Sequence, residues 1–87
     1  KLWDIAALAR EKKRLSPNQM EHIILELCKE KPLMLKEFAY LLERTPDGVR
    51  NNYLTKLLRK GQLQLKYPNQ PNHPKQAYLF NKKDIEK

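Results

Sequence analysis

Residues 35–61 read LKEFAYLLERTPDGVRNNYLTKLLRKG, and their pattern decides the fold. Phe38, Ala39 and Leu42 form the apolar face of a helix over residues 36–43, and Glu43, Arg44 and Thr45 interrupt it. Thr45-Pro46 is a helix start, an oxygen-bearing cap followed by proline, whose missing N–H is harmless at the first helical position. On a wheel of 100° per residue, Val49, Tyr53, Leu54 and Leu57 cluster on the core side of a helix over residues 46–60. Gly61 supplies the left-handed residue that ends it. Two helices joined by so short a connection make a helix-turn-helix.

Upstream, Ser16-Pro17-Asn18-Gln19 carries a serine cap, a proline at the first helical position and a glutamine that completes a capping box. Met20, Ile23, Ile24, Leu27 and Cys28 follow on one helical stripe, and Pro32 stops the helix. Leu33-Met34-Leu35 suits a brief strand. Residues 2–14, apolar at Leu2, Ile5, Ala6 and Ala9, are expected to form a connector helix. It would pack Trp3 and Leu8 against the domain or against an upstream part of a larger protein.

Downstream the period changes from helical to twofold. Leu63, Leu65 and Tyr67 alternate with Gln62, Gln64 and Lys66, as a half-buried strand requires. Residues 68–76 hold three prolines and cannot be helical, and the apolar run 77–80 closes a hairpin with a polar, basic tip. Helix, short strand, helix, helix, strand, loop, strand is the order of a winged helix-turn-helix. The expected class is α+β, mainly α: a three-helix core, a β-hairpin wing and an extra N-terminal helix. Its divisions are a connector over 1–14, the domain over 15–81 and a polar, basic tail over 82–87.

Eighty-seven residues make one small domain with room for a single site. The chain starts at Lys1 with neither methionine nor a secretory leader, which suggests a piece of a larger protein. No apolar run nears the ~20 residues that span a bilayer, so no membrane partner is expected. Cys28, the single cysteine, cannot make an intrachain disulfide, and a cytoplasmic location fits. The net charge is +8, and its placement is uneven. No carboxylate occurs from residue 48 to 83, a stretch that carries Arg50, Lys56, Arg59, Lys60, Lys66, Lys75, Lys82 and Lys83. The remainder is neutral in sum, so a polyanion is the natural partner of that stretch.

In a helix-turn-helix the second helix enters the major groove of duplex DNA, where exposed side chains read base edges and flanking residues hold phosphates. Here that helix presents Asn51, Asn52, Thr55 and Arg59 opposite the core side, with Arg50 and Lys56 on the flanks. Asparagine suits an adenine edge, arginine a guanine edge and threonine a thymine methyl. The wing adds Lys66, Asn72, His73, Lys75 and Gln76 on a proline-stiffened loop. The plainer alternatives are a solvated helix face and an ordinary proline-rich turn, and for His73 a hydrogen bond that shapes the loop. Charge segregation together with the motif favours double-stranded DNA. A homodimer or contact with other domains of the parent protein is the alternative.

Two histidines and one cysteine give no zinc-ligand spacing, and Gly48 and Gly61 alone make no glycine-rich phosphate loop. No cofactor, metal, small-molecule substrate or catalytic residue is therefore expected, and the chain reads as a non-enzyme.

Four stretches resemble the C-terminal winged-helix module of the Schlafen-like family of prokaryotic transcriptional regulators, also described as RecG-like ATP-dependent DNA helicases. They are Leu15-Ser16-Pro17, the LKEFAYLL helix from Leu35, residues 46–54 (PDGVRNNYL) and the wing residues 67–78 (YPNQPNHPKQAY), within a similarity over residues 15–80. The resemblance implies a parent with an N-terminal nucleotide-binding domain, a regulatory or DNA-processing role, and this module as its DNA-contacting end.

Overall fold

The structure, a computed structural model, describes residues 1–82. Four helices come first: α1 (Leu2–Ile5), α2 (Ala7–Glu11), α3 (Pro17–Glu30) and α4 (Leu35–Leu42). A helix in three parts follows, built from α5 (Pro46–Val49), a π turn (Arg50–Leu54) and α6 (Thr55–Arg59). It is continuous, because Arg50, Leu54 and Thr55 all keep right-handed helical backbone angles. Strands β1 (Leu63–Leu65) and β2 (Tyr78–Phe80) pair antiparallel, with Leu63 opposite Phe80 and Leu65 opposite Tyr78. The domain is thus mainly helical, with one small antiparallel sheet.

Local chemistry sets most of these boundaries. The Ser16 hydroxyl accepts from the Gln19 N–H at 3.2 Å while the Gln19 side chain accepts from the Ser16 N–H at 3.2 Å, which satisfies two donors at the start of α3. Thr45 caps α5 by accepting from the Gly48 N–H at 3.1 Å. A Cβ on residue 48 would stand only 2.8 Å from that hydroxyl oxygen, so a larger residue there would have to displace the cap. At the other end Gly61 has φ 78°, and the N–H groups of Gly61 and Gln62 donate to the carbonyls of Leu58 and Leu57 at 3.1 and 3.0 Å. Those bonds occupy carbonyls that the helix itself leaves without a partner.

The N-terminal segment differs from the single helix expected over residues 2–14. It is two short helices, broken at Ala6 and finished at Glu11, after which Lys12 is extended. Ala6 and Ala9 are completely buried in the same core as Ile24, Leu27, Phe38 and Leu42. Trp3 and Leu8, in contrast, stay exposed, at 44% and 38%. The Trp3 ring rests against Tyr40, with centroids 5.5 Å apart, under the Arg10 guanidinium at 3.4 Å. Two arginines fasten this segment to the end of α4. Arg10 donates to the Leu41 carbonyl at 2.9 Å, and Arg44 donates to the carbonyls of Leu42 at 2.9 Å and Lys12 at 3.0 Å.

The brief strand expected at 33–35 reduces to one residue. Leu33 and Tyr78 exchange backbone hydrogen bonds at 2.8 and 3.2 Å, and Leu35 already begins α4. The strand read from the alternation at 62–67 is also shorter, because Tyr67 turns into the loop. Of the tail expected over 82–87, only Lys82 falls within the described residues. Phe38 and Tyr78 meet edge to face at 5.9 Å, joining α4 to the sheet beneath the three-part helix. Leu33, Val49, Leu54, Leu57 and Leu63 complete that side of the core, each worth about 1.5–3 kcal/mol of burial.

Candidate nucleic-acid interface

The π turn sets which side chains the three-part helix displays together. An ordinary helix stacks residue i over i+4, whereas here Thr55 follows Arg50 by one wide turn, its N–H donating to the Arg50 carbonyl. The Thr55 hydroxyl donates to the same carbonyl at 2.9 Å. Val49 and Leu54, five positions apart, are both fully buried on the inner side. The 100° wheel puts Thr55 opposite the core with Asn51 and Asn52. The extra residue in the turn instead brings Thr55 beside Arg50, and both line a cleft against the 66–77 loop.

That cleft has a volume of about 790 Å³. Arg50, Thr55 and Leu58 form one wall, Asn72, His73 and Gln76 of the loop another, and Lys36 in the first turn of α4 closes the third. Arg50 is held by Asp47, Nη2 to Oδ1 2.9 Å, in a solvent-exposed ion pair. Tyr78 also lines the cleft. Burial pushes the Tyr78 phenol above its usual range, and the charge of Arg50 pulls in the opposite direction.

The remaining sequence candidates lie outside the cleft. Asn51, Asn52, Lys56 and Arg59 are exposed on the three-part helix and make no side-chain hydrogen bond or ion pair among the described residues. Lys60, also in the basic stretch, is engaged: its ammonium meets Glu21 of α3 at 3.1 Å. On the loop, Lys66 lies over the Tyr67 ring at 5.6 Å, and Lys75 is exposed.

Two loop candidates serve the loop itself. The Gln76 amide nitrogen donates to the carbonyls of Tyr67 at 2.9 Å and Gln70 at 3.1 Å, while its oxygen accepts from the N–H of Tyr67 at 2.9 Å. The side chain therefore replaces a strand partner across the neck of the loop. His73 stacks flat on Tyr67, with centroids 3.8 Å apart, and its Nδ1 accepts from the Lys75 N–H at 2.9 Å. That bond requires the tautomer with Nδ1 unprotonated. Both residues hold the loop in shape, Gln76 through both atoms of its amide and His73 through Nδ1 and its ring.

Lys36 is the residue that sequence reasoning misses. It precedes the carboxylate-free stretch, and only the packing of α4 against the three-part helix brings it to the cleft. The spacing from the Pro32 stop to the second helix is the available signal, since it puts residue 36 in a first helical turn.

No group of three or more histidine, cysteine, aspartate or glutamate side chains that could hold a metal occurs among the described residues. Burial pushes the Cys28 thiol up to about 12, far from the reactive thiolate form at neutral pH. No helix among them is long and apolar enough to cross a membrane. In comparisons with known proteins, no family model, no curated protein and no solved structure matches the chain.

Proposed function

We propose that this chain is a winged-helix domain that binds duplex DNA, with the 46–59 helix in the major groove and the 66–77 loop on the adjoining backbone or in the minor groove. The observation that carries the reading is the state of the cations. Lys56 and Arg59 stand exposed and unpaired among the described residues on a helix whose neighbour across the cleft is a loop bearing Lys66 and Lys75. Asn51 and Asn52 lie exposed on the same helix and have the paired donor and acceptor that an adenine edge matches. The resemblance to Schlafen-like regulators extends the proposal to a domain that delivers a larger cytoplasmic protein to DNA.

Substitution separates base reading from phosphate binding. Lys56→Ala and Arg59→Ala each weaken binding to every duplex and lower the salt slope by about 0.9 for each phosphate no longer held. Asn51→Ala and Asn52→Ala instead relax preference among sequences, by about 1–3 kcal/mol for each bidentate pair removed. Titrations in which all four variants match the parent would sink the proposal.

The exposed Trp3–Tyr40 pair, with Leu8 close by in sequence, favours a second reading: a protein-interaction surface. Because Ala6 and Ala9 belong to the core, deleting residues 1–14 would unfold the domain and decide nothing. Surface changes at Trp3 and Tyr40 to serine, followed by light scattering, are the discriminating test. Self-association abolished in that variant supports the second reading, and an unchanged mass counts against it.

A further inference from the structure

We infer that Lys36 binds a phosphate, and that the cleft between α4, the three-part helix and the loop seats one sugar–phosphate segment of a DNA strand. The inference rests on the DNA-binding proposal and adds to it a site outside the basic stretch. Two cations, Lys36 and Arg50, line the cleft, and no aspartate or glutamate does. Lys36 is exposed and makes no ion pair or side-chain hydrogen bond among the described residues. Arg50 has five N–H donors, so the one bonded to Asp47 leaves others for a second oxygen.

The rest of the lining matches the other half of a nucleotide backbone. Leu35, Leu58, Leu65 and Pro71 supply apolar surface in the same cleft, and Asn72 adds an amide from the loop. A phosphodiester is an anion between two largely apolar sugar edges, and the lining holds both cations and apolar side chains to meet it. The volume of about 790 Å³ falls within the ~300–1,000 Å³ of ligand clefts. Position points the same way. A strand leaving a helix-filled groove toward a loop on its flank must cross the space between helix and loop, and that space is this cleft. Phosphate contacts fix register and carry no base information, so the site sets orientation and leaves sequence preference to the exposed helix face.

The test is duplex binding by the whole chain carrying Lys36→Ala, Lys36→Arg or, for comparison, Lys56→Ala. Lys36→Ala weakens binding to all duplexes alike and lowers the salt slope by about 0.9, so its penalty shrinks by about 3.5-fold as salt rises from about 50 to about 200 mM. Lys36→Arg restores affinity, and thermal unfolding shows that the exposed substitutions leave the fold intact. Neutral methylphosphonates walked along one strand give a second readout: one position penalises the parent and has no effect on Lys36→Ala. If Lys36→Ala binds as the parent does while Lys56→Ala is weakened, the cleft inference falls and the DNA-binding proposal stands. If the parent binds no duplex at low salt, both fall.

Discussion

Arg10 and Arg44 in the first half of the chain and Lys56 and Arg59 in the second are all cations near helix ends, yet they meet different surroundings. Arg10 and Arg44 donate to the carbonyls of Leu41, Leu42 and Lys12, where α4 ends and the N-terminal segment crosses it. Lys1 and Lys29 meet Glu30 and Glu26 at 3.2 and 2.8 Å. Lys56 and Arg59 have neither carbonyls nor carboxylates as side-chain partners among the described residues. What separates them is the supply of acceptors, since residues 48–83 contain no aspartate or glutamate and the carbonyls ending α6 are taken by Gly61 and Gln62. A cation becomes available to a partner where its own fold offers it nothing. Arg10 and Arg44 therefore serve stability, while Lys56 and Arg59, like Lys36 of α4, are left for the proposed DNA.

The largest effect expected in stability comes from Arg10→Ala. It removes charge-assisted bonds to two carbonyls and a cation–π contact with Trp3, and should cost about 1.5–3 kcal/mol in urea unfolding while leaving duplex affinity of the folded protein unchanged. An Arg10→Ala protein that keeps its stability and binds duplex more weakly would break the division between these two pairs of cations. Gln76→Ala sharpens it on the binding side. The hydrogen bonds of the amide all stay within its own loop, so removing it should cost about 1 kcal/mol and weaken duplex binding by loosening the loop. Weaker binding with a loop still ordered by amide exchange would mean that Gln76 touches DNA directly. The smallest effect has the opposite sign. Glu43 is the one non-glycine described residue with positive φ, at 52°, and Glu43→Gly should raise stability by about 0.4–1 kcal/mol with no change in binding. A lower melting temperature for this variant would show that the Glu43 side chain does more for the turn than its backbone strain costs.

Legibility in the sequence follows how local each cause is. The capping box at Ser16, the Thr45-Pro46 start, the Gly61 stop and the alternation of Leu63 and Leu65 are each decided within a few residues, and each is present. The turn after α4 is different, since Glu43 takes a left-handed conformation that costs a non-glycine residue about 1–2 kcal/mol. Burial of Leu41 and Leu42 on one side and Val49 on the other imposes that turn, and no local preference announces it. The π turn is similar. It buries both Val49 and Leu54 completely, where a wheel of 100° per residue sets them about 140° apart at the two edges of the apolar face, and it moves Thr55 toward Arg50.

The candidate interface divides along the same line. Exposure of Asn51, Asn52, Lys56 and Arg59 follows from helical periodicity and a charge count. The loop duties of Gln76 and the arrival of Lys36 at the cleft depend on where distant segments cross. The hydrogen bond by which His73 shapes its loop is open to sequence reasoning because it spans two residues.

DNA binding is tested most directly by fluorescence anisotropy of a labelled 20-base-pair random duplex with the whole chain at several salt concentrations, beside a dextran sulfate competitor. A domain that seats its helix in the groove should bind more tightly as salt falls, steeply and linearly in the logarithm of salt, and should prefer duplex over the polyanion at equal charge. No binding at low salt, or binding that dextran sulfate displaces as well as duplex does, would contradict that role.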